Sequence, residues 1–167
     1  MTGIRPEAAD DIGSIHDLLA GAFPTPSEAK LVERLRRDGD LVLSLVAADA
    51  NGSIIGHAAF PRLRVVQCRV EYPAVGLAPL AVAEAHRRKG VGAELVHQGL
   101  AQLRGCGEAL AFVLGDPAYY TRFGFALDMA KPFACAYAGP YFMALQLADD
   151  APRAGTVRYP AAFDDLV

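Results

Sequence analysis

Cysteine is scarce in this chain. Its 167 residues include three, Cys68, Cys106 and Cys135, far apart and odd in number. Such a set reads as buried thiols in a reducing compartment rather than as a disulfide framework. No C-x-x-C or H-x-x-x-H pairing occurs, so no metal site is expected. No run approaches the roughly 20 apolar residues that a membrane helix needs. The opening MTGIRPEAADD has no apolar core behind a basic stretch and gives no sign of a signal peptide. Positive charge is not in excess either. A formal charge of -3 argues against wholesale nucleic-acid binding, and any cationic site must be local. Both G-x-x-x-x-G-K-[ST] and G-x-G-x-x-G are missing, which removes the P-loop and Rossmann readings.

What is there is the composition of a folded protein, 53% apolar and 21% charged. The length suits one well-buried domain, and no repeat, linker or low-complexity tract divides it; residues 1–167 are read as a single cytoplasmic domain. A short strand over residues 2–5 stops at Pro6. Ile12, Ile15, Leu18, Leu19 and Phe23 then recur at helical spacing, and Gly21 and Pro24 end that helix. In PTPSEAKLVERLRRDGD, Ser27 or Thr25 can cap a second helix that Gly39 closes. LVLSLVAADANGSIIGHAAF reads as a hairpin turning at Asn51-Gly52, with its second strand running on past Pro61 into LRVVQCRV.

AVGLAPLAV is the next strand. Pro79 within it cannot donate to a ladder, so the strand is expected to bulge or part from a neighbour there. A helix follows, burying Val91, Leu95, Val96, Leu100 and Leu103, and then ALAFVL, a wholly apolar strand that completes a parallel βαβ unit. Asp116 and Pro117 open a short helix that Gly124 ends. FMALQL and GTVRYP are the last strands, before an AAFDDL tail.

The most informative stretch is RRKGVG, at the start of the long helix. Arg87, Arg88 and Lys89 stand beside Gly90 and Gly92, so cations and bare backbone N–H groups converge on a helix N-terminus, a site suited to a phosphorylated ligand. A strand, then Arg87-x-x-Gly90-x-Gly92 at a helix start, then Tyr120-x-x-x-Gly124-Phe125, resembles the GCN5-related N-acetyltransferases (GNAT). GLAPLAVAEAHRRKGVG with VLGDPAYYTRFGF is similar to the bacterial YhbS-type branch.

The resemblance implies an α+β (mixed α/β) fold, a mostly antiparallel sheet of about seven strands flanked by helices, with a parallel pair splayed around the cofactor. It implies acetyl-coenzyme A as donor. The acceptor, a small amine or peptide, is open among small amines, aminoglycosides, peptides and protein N-termini. No nucleic-acid or membrane partner is expected from charge and composition, and a homodimer is open to such a chain. On this resemblance the loop formed by Arg87, Arg88, Lys89, Gly90, Val91, Gly92 and Ala93 holds the pyrophosphate. Leu80, Ala81 and Val82 pair with the pantetheine arm, and the Val82 N–H polarises the thioester carbonyl. Tyr120 stands where the family carries a tyrosine acid near the sulfur, while Tyr119 points elsewhere and packs.

A lysine-like amine, with a pKa of about 10.4, must lose a proton before it can attack. AVGLAPLAV carries no carboxylate to receive it. Glu28 on the second helix is the first candidate base, followed by Glu71 and His57; removal through ordered water is a further option. Leu114 stands where many relatives have an asparagine, and Asp116, the nearest polar residue, reads first as an N-cap. The missing strand carboxylate also keeps open a different class of protein, an acyl-coenzyme A sensor that binds without turnover.

Overall fold

The computed structural model describes residues 2–166. The elements follow as β1 (Gly3–Pro6), α1 (Ile12–Ala22), α2 (Ser27–Asp38), β2 (Leu41–Ala48), β3 (Ile54–Gln67), β4 (Val70–Gly76), β5 (Leu80–Val82), α3 (Val91–Gly105), β6 (Leu110–Leu114), α4 (Pro117–Tyr120), α5 (Leu127–Ala130), β7 (Phe133–Ala134), β8 (Phe142–Gln146) and β9 (Gly155–Arg158). Short 3-10 turns precede α1 and α3, follow α4, and close the chain at Ala161–Leu166.

The sheet is built on β3. Its first half pairs with β2 and β5, and its second half with β4 and β9, all antiparallel. The path runs β1-β2-β3-β4-β6-β8, with β4 and β6 parallel, as a βαβ unit requires. Among the described residues nine strands are present, several of them very short, such as the two-residue β7.

Alternation along β2 and β3 divides the core. Leu45, Ala47, Ala58 and Phe60 face α3, whereas Val46 and Ala59 face Ile15, Leu19, Ala29 and Val32 of α1 and α2. Helix α3 lies close against the sheet because Gly99 has no side chain: a Cβ there would fall 2.3 Å from the Phe60 ring. The strand β6 is buried on both faces from Leu110 to Val113, in keeping with its unbroken apolar sequence. Arg62 of β3 forks onto Glu108 at 2.6 and 2.9 Å, tying the central strand to the turn before β6. The C-terminal turn lays Ala162 and Phe163 against Leu31 and Leu35 of α2.

Four details depart from the sequence reading. LRVVQCRV is not one strand, because the chain reverses at Cys68 and Arg69. Both take positive φ, 50° and 67°, a turn geometry that neither residue type advertises. AVGLAPLAV is two strands, broken at Leu77–Pro79, where the Ala78–Pro79 peptide is cis. Cys68 and Cys106 are exposed, not buried, and all three cysteines are free. At α2, Ser27 is the first helical residue and no side chain caps the helix in the usual way; Thr25 Oγ1 accepts from the Ser27 N–H at 3.4 Å.

Candidate active site

Beyond Gly76 the two parallel strands part. Their last link is a bond from the Leu77 N–H to the Phe112 carbonyl, 3.0 Å; thereafter β5 follows β3, and β6 continues beside β8. Register decides which main-chain groups face the gap. Ala81 stands opposite His57, bracketed by bonds from Ala59 N–H to Pro79 O (3.1 Å) and from Ala83 N–H to Ile55 O (2.8 Å). Residues 79, 81 and 83 therefore turn their polar groups toward β3, and Leu80 and Val82 turn theirs into the gap. The Val82 carbonyl accepts from Arg87 Nε at 3.0 Å. Among the described residues, the Val82 N–H and both Leu80 main-chain groups make no bond across the gap.

On one side of β5 lies a cleft of about 280 Å³ at the start of α3. Arg88 (φ 62°) and Gly90 (φ 83°) wrap the loop tightly onto the helix. The first bond inside α3 runs from Glu94 N–H to Gly90 O at 3.0 Å, and no side chain caps the end. The N–H groups of Val91, Gly92 and Ala93 are thus free, and all three residues line the cleft with Arg87, Arg88 and Gly90. Lys89 is exposed and outside that lining.

The cleft also holds His86 and two residues that the sequence reading did not nominate, Tyr119 and Arg122. A Cβ on Gly92 would sit 3.0 Å from Tyr119 Oη, so the glycine lets the phenol approach the helix end. Arg122 Nε donates to the Tyr119 carbonyl at 2.9 Å, and its guanidinium carbon lies 4.5 Å from that ring's centroid. The i, i+3 spacing of the pair after Pro117 was the available signal.

On the other side is a cavity of about 290 Å³, bounded by Pro79, Leu80, Tyr120 and Glu28. Tyr120 is held from both sides. Asp116 caps its helix, accepting from the Ala118 N–H at 2.9 Å, and the Tyr120 N–H returns to Asp116 O at 3.1 Å. Burial, and secondarily the neighbouring Tyr119, push the Tyr120 phenol up to about 12, so it is protonated at neutral pH. Glu28 on α2 turns into the cavity with its Oε2 buried and without a hydrogen-bond partner. Leu114, 51% exposed, stands on the rim.

The two further base candidates lie elsewhere. Glu71 is paired with Arg64 on the β3–β4 hairpin at 2.9 Å. His57 is fully buried, its Nε2 2.8 Å from Ser44 Oγ and its Nδ1 unpartnered. Burial first, and Arg36 second, lower its pKa to about 4. It lines neither cavity. Ala81 turns its side chain into the cluster beneath α1 and α2 and its main chain to His57, so it contributes the spacing between Leu80 and Val82.

A splayed parallel pair, with an uncapped helix end on one side and a cavity on the other, agrees with the comparisons to known proteins. Residues 3–127 match the acetyltransferase (GNAT) domain family. The chain belongs to this family of acetyltransferases. It is 42% identical over 165 residues to the N-acetyltransferase YhbS of Escherichia coli strain K12, covering 96% of this chain and 98% of the relative. The crystal structure of YhbS in complex with CoA superposes on this acetyltransferase with a TM-score of 0.90, at 41% identity, over 98% of this chain and 92% of that one. A GNAT family acetyltransferase from Brucella melitensis, in complex with acetyl-CoA, gives a TM-score of 0.81 at 35% identity, over 98% and 99% of the two chains. YjhQ of E. coli strain K12 is 36% identical over 118 residues, 69% of this chain and 64% of its own length. The relation to YhbS bears out the resemblance seen in the RRKGVG and GDPAYYTRFGF stretches.

Proposed function

We propose that this acetyltransferase moves an acetyl group from acetyl-coenzyme A to a primary amine by direct attack, the whole chain acting as one domain. The observation that carries the reading is the pair of main-chain features at the splay: three free N–H groups at an uncapped helix end, continuous with the unpaired edge at Leu80 and Val82. A pyrophosphate suits the first and an extended amide chain suits the second. Val91, Gly92 and Ala93 hold the phosphates, with Arg88, Arg122 and the side of Tyr119 closing the cleft. Leu80 and Val82 pair with the pantetheine arm.

The bound donor supplies a thioester, whose C–S bond breaks as the new C–N bond forms. Glu28 takes the first proton from the acceptor's ammonium and passes it to solvent, leaving a neutral amine to attack. The Val82 N–H steadies the charge that grows on the carbonyl oxygen. Tyr120 donates to the sulfur and gives up its proton as the sulfur leaves; the phenolate is refilled by the proton lost from the new amide nitrogen. The net products are an amide, free thiol and one proton. The three free cysteines support a cytoplasmic setting.

Two measurements on the purified protein test the reading: calorimetric binding of acetyl-coenzyme A, and thiol release across a panel of primary amines. Micromolar binding with amine-dependent release is expected. Tight binding with no release on any amine would instead favour the acyl-coenzyme A sensor.

A further inference from the structure

We infer that the acceptor is a small monoamine with an aromatic or similarly apolar body, such as an arylalkylamine. This rests on the acetyl-transfer reading and names the chemistry of its second substrate. The acceptor cavity is about 290 Å³ and is walled by Phe23, Leu31, Phe112, Tyr137, Tyr159 and Phe163. A dry cavity of about 150 Å³ holds a benzene ring, so this cleft, open on one side and shared at Pro79, Leu80 and Tyr120 with the thioester end of the donor, has room for such a ring. Among the described residues, Glu28 is the only ionisable group on its wall apart from phenols. Its buried Oε2 lacks a partner, and an unpaired carboxylate oxygen in such a place is costly until a donor reaches it. A protonated amine supplies that donor.

The same wall argues against other amines. A polyamine would bring a second ammonium into a cavity whose one carboxylate among the described residues is already used. The rings of Tyr137, Tyr159 and Phe163 do not form an open cage for it, since they meet edge to face, with centroids 4.7 Å apart for the first pair and 5.0 Å for the second. An aminoglycoside, with several ammonium groups and many hydroxyls, would find among the described wall residues one carboxylate and three phenols to pair with. The reacting amine, held at Glu28, faces Tyr120 and Leu80 across the same cavity, which is where the thioester is expected.

Competing 2-phenylethylamine, spermidine, n-butylamine and kanamycin at fixed acetyl-coenzyme A tests the inference. 2-Phenylethylamine should show a kcat/KM at least about tenfold above each of the others, the discrimination a fitted apolar pocket provides. Tyr137→Ala, at a partly exposed wall position, should cancel most of that advantage by raising KM for 2-phenylethylamine far more than KM for n-butylamine, while acetyl-coenzyme A affinity holds. Calorimetry of N-acetyl-2-phenylethylamine with coenzyme A should show the same weakening in this variant without any turnover. Efficient transfer to spermidine or kanamycin, or an acceptor ranking that Tyr137→Ala leaves intact, would overturn the inference and leave acetyl transfer standing. Absence of thiol release with every amine would overturn both.

Discussion

A Cβ placed on Gly115 would lie 2.5 Å from Cε2 of Tyr120. The glycine is therefore a condition for the ring's position beside the cavity, and its φ lies in no region that demands glycine. Gly115→Ala should push the phenol out of place and leave most of the fold intact. Displacement of a reacting group by about 1 Å costs on the order of 100-fold in rate. We expect kcat to fall by about that much and the unfolding midpoint to move only a few degrees. Unchanged kcat in a folded variant would show that the ring's position is not critical.

Tyr120→Phe isolates the hydroxyl. The ring's neighbours, Phe123 and Phe125, keep their apolar contacts, so stability should hold or improve as a buried polar group is removed. Loss of a positioned proton donor costs roughly 100- to 10,000-fold, and it should appear in kcat with KM for acetyl-coenzyme A near its wild-type value. Because the phenol is protonated up to about 12, no rate loss between pH 7 and 10 should be traceable to its ionisation. Turnover undiminished in Tyr120→Phe would remove the assignment.

The fold was legible wherever local chemistry carried the signal. Asn51-Gly52, Asp116-Pro117 and Gly124 each mark a boundary through a conformation their residue types favour, and the structure puts boundaries there. The hairpin at Cys68-Arg69 was not legible, because a cysteine and an arginine take the left-handed region only under the tertiary constraint of β3 and β4. At the site, the glycines of the α3 loop could be read from spacing, as could the break at Pro79. The alternation that separates Ala81 from Leu80 and Val82 could not, since it depends on β5 pairing with His57 rather than with β6. Tyr119 and Arg122 were hidden for a similar reason. Tyr119 on α4, with Arg122 on the 3-10 turn after it, acquires meaning only when Gly92 is packed against the Tyr119 phenol.

Gly90 carries φ 83° and has open space around its Cα. A Cβ at Gly90 would meet no atom within 4 Å, yet Gly90→Glu places an L residue in the left-handed region and a carboxylate beside the phosphate cleft. The backbone term costs about 1 kcal/mol, a modest part of a domain's stability. The charge acts on binding instead, and we expect acetyl-coenzyme A affinity to fall more than 100-fold by calorimetry while the circular dichroism spectrum is retained. Unchanged affinity in a folded variant would move the phosphate site away from this loop.

His57 should make the protein sensitive to mild acid. In the unfolded chain its imidazole takes up a proton near its ordinary value of 6.5, whereas burial in the fold delays this to about 4. Between those values the unfolded state binds more protons, so stability is complete above pH 6.5 and falls as the pH drops toward 4. The full difference is about 3 kcal/mol, of which about 2 kcal/mol is lost between pH 7 and pH 5. Urea unfolding at those two pH values measures it. His57→Gln, which can keep a bond to Ser44 Oγ, should be less stable at pH 7 through imperfect packing and should lose the pH dependence over this interval. A wild-type protein equally stable at pH 5 and pH 7 would mean that the buried imidazole gains a proton and a partner in the folded state.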